Sequence, residues 1–321
     1  MLRITAALAA LLVLTSPAAP AQALATEVSI TGRTADRYPE GIAWDPARRA
    51  FLVGSIATGR ISVVGRDGVP HPFGVAPGVS TFGLHVDAPR NRVLVTYADI
   101  GAGERSSEAT SYQESGVAVY DLRNGRLLRR IDLNTPRLNP ASGKHGANDL
   151  AIDAVGNAYV SDPAGDAIYK IDRGGRASVL VRDARLRSDS IGVNGIVWDS
   201  AGFLLAVRYD TGVLLRITPA GRMSEVAVGK RLVGGDGLAM TRNHRLIAVT
   251  NKLGAPGVEE VTVLSSVDGF RSARVRSAEA WPVAAPTTAA VAPDGTYVLS
   301  GEIDVLLAGG SSDRFTIRRL V

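Results

Sequence analysis

A six-residue motif occurs six times along the 321-residue chain and constrains the fold more than any other feature. The first position of the motif, called here the leading position, varies, whereas the positions that follow are mostly small or apolar. Each copy runs through a turn rich in Gly, Pro or Asp into a second apolar run, and a third run usually follows. Such self-similarity is typical of repeat architectures. The six copies are Glu40–Asp45, Phe82–Asp87, Asn148–Asp153, Asn194–Asp199, Asp236–Thr241 and, more loosely, Thr287–Ala292.

The spacing and composition of the repeats favour an all-β fold. The leading positions are 42, 66, 46, 42 and 51 residues apart, and short β-branched and aliphatic runs between turn residues are typical of antiparallel strands. A unit of this length corresponds to one propeller blade. We therefore predict one domain over residues 24–321, a six-bladed β-propeller with four-stranded antiparallel blades around a central channel. The segment Glu27–Ile30 would complete the last blade, and a β-sandwich or a repeat that does not close is the alternative.

The first 23 residues have the features of a secretory signal peptide. Arg3 supplies a basic start, Ala6–Leu14 is apolar, and Ala21–Ala23 fits a cleavage site. A membrane anchor is the alternative, but this run is shorter than the roughly 20 apolar residues that a span needs. We predict that residues 1–23 are a signal peptide and that the mature protein is secreted or periplasmic, without a stable membrane anchor after cleavage. The abundance of Ala and Arg indicates a bacterial origin.

Composition excludes several classes of function. The chain has 36 Lys and Arg residues against 31 Asp and Glu, and the net charge of +5 is scattered rather than clustered. Nucleic-acid binding would need a coherent basic stripe, so no nucleic-acid partner is expected. The absence of cysteine excludes disulfides and thiolate metal sites. No nucleophile elbow, Walker loop, zinc-protease motif or dinucleotide fingerprint is present.

The leading positions carry the candidate chemistry. In a propeller the innermost strand of every blade begins at one face beside the channel, so the six leading residues would form a ring. Carboxylate and amide oxygens are hard ligands suited to Ca²⁺, less so to Mg²⁺ or Mn²⁺, and poorly suited to Zn²⁺. Asn and Asp before Gly also shape turns, which is the alternative. Four of the six leading residues carry such an oxygen, namely Glu40, Asn148, Asn194 and Asp236.

The segments Tyr38–Trp44, Asn148-Asp149, Asn194-Gly195 and Gly235–Gly237 resemble those of the senescence marker protein/gluconolactonase/luciferin-regenerating enzyme family of six-bladed propellers. Diisopropylfluorophosphatases and paraoxonases are related in architecture. The resemblance implies a divalent cation in the channel, usually calcium, held by a Glu, two Asn and an Asp. It also implies hydrolysis of lactones and, in some branches, of organophosphates. The matching ligand positions here are Glu40, Asn148, Asn194 and Asp236.

Two departures from the family pattern leave the substrate open. Sugar-lactone members often have an Arg two residues before the first Asn, where this chain has Gly146. Paraoxonase-like members have a catalytic His at the second leading position, where this chain has Phe82.

The predicted chemistry is hydrolysis. A channel cation would polarise an ester carbonyl, and a nearby carboxylate would take a proton from water. Asp236 and Asp149 are the candidates, although Asp149 could instead orient Asn148. The turns after each second strand return to the same face as the leading positions. Candidate substrate contacts on that face, each with a plain loop role as its alternative, are His145, Asp162, Arg208, Tyr209 and Asn251.

The residues that close the motif are expected at the opposite face and are interpreted as turn formers; they are Asp45, Asp87, Asp153 and Asp199. The leading hypothesis is an exported, monomeric, calcium-dependent hydrolase of a small lactone or related ester. The alternative is a non-catalytic propeller that binds a glycan, peptide or protein partner, with a structural metal or none.

Overall fold

The structure, a computed structural model, describes residues 28–141 and 143–321. The predicted signal peptide lies outside the described residues. The described residues form 25 strands in six sheets, arranged as the six blades of a propeller. The predicted fold class is confirmed.

The blades follow one another along the chain, and the inner strand comes first in each. There are two exceptions: β1 (Ser29–Arg33) precedes blade 1 but belongs to the last blade, and the first strand of blade 5 lies at the outer edge of its sheet. Blades 1 and 2 contain β2 (Ile42–Asp45), β3 (Ala50–Val53), β4 (Ile61–Val64), β5 (Pro70–Gly74), and β6 (Ser80–Asp87), β7 (Arg92–Ala98), β8 (Ser115–Asp121), β9 (Leu127–Asp132). Blades 3 and 4 contain β10 (Leu150–Ile152), β11 (Ala158–Ser161), β12 (Ala167–Ile171), β13 (Ala177–Arg182), and β14 (Val193–Asp199), β15 (Phe203–Arg208), β16 (Leu214–Ile217), β17 (Met223–Glu225). Blades 5 and 6 contain β18 (Ala227–Val228), β19 (Gly235–Met240), β20 (Arg245–Thr250), β21 (Glu260–Ser265), β22 (Ser272–Ala280), and β23 (Pro286–Ala292), β24 (Gly295–Ser300), β25 (Arg314–Arg319).

Blade 5 departs from the four-stranded prediction. The two-residue strand β18 pairs in parallel with β22 and adds a fifth strand at the outer edge. In the part of the chain that the structure describes, short helices occur only in connections: two 3₁₀ turns, Ala88–Arg90 and Ala184–Leu186, and the α-helix α1 (Ile303–Leu307) between β24 and β25. Within the described residues, no helix has both the length and the apolar character that a bilayer crossing requires.

The ring closes through its first strand. β1 pairs antiparallel with β25, from Ser29 opposite Arg318 to Arg33 opposite Arg314. The paired strand starts two residues later than the predicted segment Glu27–Ile30. It has the predicted role. It completes blade 6 and covers an edge that would otherwise expose unpaired backbone groups.

The hydrophobic core lies between adjacent blades. Phe51 of blade 1 packs on Tyr297 of blade 6, with ring centroids 5.0 Å apart. Trp198 of blade 4 stacks on Tyr159 of blade 3 at 5.5 Å. Because every sheet is covered on both faces by its neighbours, the inner strands are held close together around the channel.

The motif-closing aspartates form turns, as predicted. Asp45 accepts hydrogen bonds from the backbone of Ala47 at 2.9 Å and from the guanidinium of Arg48 at 2.7 Å. The same guanidinium donates to the carbonyl of Leu122 in blade 2 at 2.6 Å. The Asp45 carboxylate therefore completes the turn and holds the arginine that ties blade 1 to blade 2.

Candidate functional site

The leading residues meet at one end of the channel, called here the upper end. A cavity of about 470 Å³ opens there. Thr287 lies beside it, where its hydroxyl donates to the backbone carbonyl of Glu40 at 2.6 Å. Five blades therefore contribute their leading residue to one cavity, whose lining includes Glu40, Phe82, Asn148, Asn194 and Asp236.

A break in strand pairing directs several of these side chains into the channel. In four inner strands the register shifts at the leading residue and the residue after it, as in a β-bulge. A bulge frees a residue from the ladder and re-aims its side chain. The four bulged pairs are Phe82-Gly83, Asn194-Gly195, Asp236-Gly237 and Thr287-Thr288.

The residue after the leading position lies against the neighbouring blade. A Cβ atom at Gly195 would lie 2.4 Å from the carbonyl oxygen of Asp236, and one at Gly41 would lie 1.9 Å from that of Phe82. Only glycine allows this close approach of adjacent backbones. Blade 3 has Asp149 at the equivalent position.

Hydrogen bonds hold the carboxylate of Asp236 in place. Its Oδ1 accepts from Asn194 Nδ2 at 2.9 Å, and its Oδ2 accepts from Asn251 Nδ2 at 2.6 Å. Asn251 is fully buried, donates also to the carbonyl of Pro286 at 2.8 Å, and accepts from the hydroxyl of Tyr209. Asp236 is thus fixed by two amide donors from different blades.

The amide oxygen of Asn194 has no hydrogen-bond partner among the described residues, although it is buried. Buried polar atoms are normally paired, so an orphan needs an explanation. Since the Asn194 amide nitrogen donates to Asp236, its oxygen is left free at the wall of the cavity. A cation in the cavity would satisfy it.

The buried carboxyl groups of Glu40 and Asp236 and the half-buried one of Asp149 lie near one another without a cationic partner. Within the described residues, none of Glu40, Asp149 and Asp236 forms an ion pair with Lys, Arg or His. Burial, followed by the charges of Asp236 and Asp149, raises the pKa of Glu40 well above its ordinary value. Burial raises the pKa of Asp149 to about 7 against the opposing hydrogen bonds from the backbone of Ile196 and Leu150.

The pKa of Asp236 is also raised, first by burial and then by the charge of Asp149, while hydrogen bonds from Asn251 and Asn194 oppose the rise. Because none of these charges is compensated, the site favours a bound positive charge.

The donor set fits a hard cation. Over residues 28–141 and 143–321, no group of three or more His, Asp or Glu side chains is arranged to hold a metal by itself. The candidate ligands instead mix two carboxylates with two amides, which suits the all-oxygen coordination of calcium. The residues that would hold the ion are Glu40, Asn148, Asn194 and Asp236.

Asp149 faces the other half of the channel. Its Oδ2 accepts from the backbone of Ile196 at 2.9 Å and its Oδ1 from Leu150 at 2.8 Å. It lines a separate cavity of about 360 Å³ formed by the inner strands, together with His85 and Trp198. This placement favours a role in orienting the neighbouring strands.

The candidate substrate contacts are distributed over three environments. Tyr209 lines the upper cavity, and Asn251 lies behind Asp236. The His145 Nδ1 lies 2.8 Å from Asp162 Oδ2, and His145 lines a neighbouring cavity of about 230 Å³. Arg208 is bound to Asp210 and to the carbonyls of two arginines, at positions 185 and 187. The structure therefore brings Tyr209 and Asn251 to the site, but not Arg208.

The hydrophobic wall of the upper cavity is not predicted by any motif in the sequence. It comes from loops and from α1, and it surrounds the polar base formed by the leading residues. A short apolar run after Glu302, in the long connection of the last blade, was the only local signal. The wall includes Ile56, Ile100, Ala102, Ile191, Leu253, Ile303 and Leu307.

No protein-family model and no curated protein sequence matches this chain. Solved structures do resemble it. A gluconolactonase from Xanthomonas campestris has a TM-score of 0.59 and 15% identity over 89% of this chain and 86% of its own. A protein from Thermus thermophilus described as a glucose dehydrogenase has a TM-score of 0.61 and 15% identity over 92% and 100%.

Virginiamycin B lyase from Staphylococcus aureus has a TM-score of 0.56 and 12% identity, over 92% of this chain and 100% of its own. At these identities the likeness shows the fold alone. The predicted resemblance to gluconolactonase-type six-bladed propellers is confirmed at the level of that fold.

Proposed function

We propose that this protein is a divalent-cation-dependent hydrolase of lactones or related esters, and that its cation is calcium. The observation that carries the proposal is the convergence of four oxygen donors from four blades on one cavity. The orphaned amide oxygen of Asn194 and the uncompensated carboxyls support a cation there. The gluconolactonases among the structural neighbours support a lactone as the substrate class.

The four leading residues with oxygen side chains would hold the ion. When bound, the cation would supply Lewis-acid polarisation of the substrate carbonyl. Asn194 would present its free Oδ1 to the ion while its Nδ2 keeps Asp236 in place. Asn148 is held by its backbone, because its carbonyl accepts from Gly83 at 2.8 Å in the neighbouring blade.

Asp236 is the proposed general base. It lines the cavity, so its carboxylate can accept a proton from a water molecule next to the substrate. The water oxygen then bonds to the carbonyl carbon, the ring C–O bond breaks, and the proton held by Asp236 passes to the leaving ring oxygen, which yields the hydroxy acid. Asp149, the other candidate, acts by holding Ile196 and the strand that carries Asn194.

The remaining parts of the proposal concern the molecule as a whole. A cavity of about 470 Å³ is within the range of small-molecule sites, so the partner is a small lactone or ester. We propose that the protein acts as a monomer after export and removal of residues 1–23.

The experiment combines chelation with calorimetric metal titration and a panel of lactones and aryl esters. We expect one calcium per chain, loss of turnover with chelator, and recovery with calcium. Glu40→Ala and Asp236→Ala should lose both metal binding and turnover, whereas Asp199→Asn at the opposite end of an inner strand should keep both. Full activity in metal-free protein would contradict the mechanism. Metal binding that raises the melting temperature without turnover of any substrate would favour a non-catalytic propeller.

A further inference from the structure

The wall of the upper cavity differs in chemistry from its base. The base holds the leading residues, whereas the wall is built from apolar side chains of loops in blades 1, 2, 4 and 5 and from α1. Ile56, Phe82 and Ile303 are buried in one cluster, against which Ile100 and Leu253 pack while half-buried. The wall is therefore backed by a packed hydrophobic core.

Few polar groups on the wall are free to bind a hydroxyl. Among the described residues that line the cavity, Glu40 and Asp236 are the only charged ones, and both lie at the base. The hydroxyl of Tyr209 already donates to Asn251 and accepts from the backbone of Gly254 at 2.9 Å. The other polar side chains of the wall are those of Tyr112, whose ring lies 4.6 Å from the ammonium of Lys144, and of Ser190, whose hydroxyl accepts from the backbone of Ile191 at 2.5 Å.

The position of Gly146 extends the apolar surface. A Cβ atom there would meet only the Cβ of Ala164 at 3.8 Å and the Cγ2 of Ile100 at 3.9 Å. No basic or polar side chain projects from this position into the cavity. A polyol bound here would bury hydroxyl groups without partners, which is unfavourable.

Part of the wall is exposed to solvent. Leu307 at the end of α1 is 57% exposed, and Ile191 and Ala102 are half-buried. Apolar area that a ligand removes from water contributes directly to binding. An alkyl chain or aromatic ring attached to a lactone at the base would cover these side chains.

We propose that the substrate carries an apolar substituent, an alkyl chain or an aromatic ring, which lies against this wall while the ester group lies at the leading residues. The inference rests on the proposed function and narrows it: alkyl- or aryl-substituted lactones are preferred over sugar lactones. Leu253 and Leu307 are the specificity-determining side chains.

The test uses δ-lactones that share one ring and differ in alkyl chain length, beside glucono-δ-lactone, all with the calcium-loaded wild-type protein. We expect kcat/KM to rise by about threefold per methylene until the wall is covered, and to exceed that for glucono-δ-lactone by about 100-fold. A flat series, or a preference for glucono-δ-lactone, would overturn the inference while leaving the hydrolase proposal intact.

A wall variant and a matched control locate the effect. Leu307→Ser should lower kcat/KM for the long-chain lactone by about fivefold to tenfold and lower that for the unsubstituted ring much less. The control variant Val155→Ser changes a valine that is 64% exposed in a turn at the lower end. It should leave kcat/KM unchanged for both the long-chain lactone and the unsubstituted ring. Equal losses for both substrates in Leu307→Ser would contradict a role in binding the chain.

A binding measurement separates this inference from the hydrolase proposal. The neutral fluorophore N-phenyl-1-naphthylamine should bind the wild-type protein, be displaced by a long-chain δ-lactam, and bind at least several-fold more weakly to Leu307→Ser. Such binding without turnover of any lactone would refute the hydrolase and keep the apolar site. Turnover of lactones without such binding would refute the apolar site and keep the hydrolase proposal.

Discussion

Carboxylate side chains lie at both ends of the inner strands, but the pKa of Asp153 at one end and those of Glu40 and Asp236 at the other are shifted in opposite directions. At the lower end, Asp153 accepts from the backbone of Asn157 at 2.8 Å, from its side chain at 2.7 Å, and from Tyr159 at 3.0 Å. Burial alone would raise its pKa, but the hydrogen bonds from Asn157 and Tyr159 lower it below its ordinary value. At the upper end, the pKa values of Glu40 and Asp236 are raised.

The difference lies in how many donors surround each carboxylate. A carboxylate that receives a full set of donors from its own turn is a structural group and needs nothing further. One that is buried beside other carboxylates with few donors is stable only with a proton or a cation. Repetition of one motif thus yields a structural ring at one end and, at the other, the ring at which we propose that a cation binds.

The largest difference between the two ends is expected when one carboxylate is neutralised at each end. Asp236→Asn removes a charge and places an amide NH₂ against the donors of Asn194 and Asn251. We expect kcat/KM to fall by about 10²- to 10⁴-fold, with calcium binding lost in calorimetric titration. Asp199→Asn, at the lower end of the blade 4 inner strand, should bind calcium like the wild type; equal losses in both variants would show that the two ends do not differ.

The stability of the metal-free protein should depend on pH with a sign set by the upper end. A carboxyl whose pKa is raised by folding holds its proton longer when folded, so stability is highest below the unfolded pKa near pH 4. That stability is lost as pH rises toward the folded value, about 7 for Asp149. In the proposed site calcium would replace the protons, and it should therefore raise the melting temperature more at about pH 8 than at about pH 5.5. An increment that is independent of pH, measured by scanning calorimetry, would contradict the assignment.

Asn251 tests whether the donors that Asp236 does have serve to position it. Asn251→Ala removes the hydrogen bond to Oδ2 and should lower metal affinity or kcat by about 10- to 100-fold. Since that bond opposes the raised pKa of Asp236, the acidic limb of the pH–rate profile should move to higher pH. Asn157→Ala at the lower end is the control and should leave the pH–rate profile unchanged. If the acidic limb does not shift in Asn251→Ala, Asn251 contributes only to packing.

The smallest expected effect is at the lower end itself. Asp153→Asn should cost about 1–3 kcal/mol of unfolding free energy and leave kcat/KM per folded molecule unchanged. Because the pKa of Asp153 is lowered by folding, its contribution is present above the unfolded pKa and is lost as pH falls. The difference in urea midpoint between variant and wild type should therefore shrink on acidification, and a difference that grows would contradict the interpretation.

The repeat made the ring of leading residues predictable from sequence. The apolar frame of the motif is kept in all six copies, so the blade count, the inner strands and the common location of Glu40 and Asp236 followed from alignment of the copies. The lower-end role of Asp45 was predictable for the same reason, since a turn is a local structure.

Contacts between distant segments were not predictable. Asn251 was placed on the correct face, but its depth behind Asp236 depends on the packing of blade 5 against blade 6. Arg208 is held away from the cavity by the carbonyls of Arg185 and Arg187, in the segment that precedes blade 4, as well as by the neighbouring Asp210. The hydrophobic wall combines single side chains from separate loops, and no local pattern marks residues such as Ile191 and Leu253 as neighbours.

Ring closure by β1 also determines where the polypeptide can be engineered. Ser29 and Arg318 are partners on the two outer strands of blade 6, where β1 is three strands and β25 is two strands away from β23. With neighbouring strands about 4.8 Å apart, these ends of β1 and β25 lie roughly 14 Å and roughly 10 Å outward from the inner strand. A fusion partner or an immobilising tether attached at that perimeter would leave the mouth of the channel unobstructed, and a circular permutant could join these ends and open the chain at an outer turn of another blade.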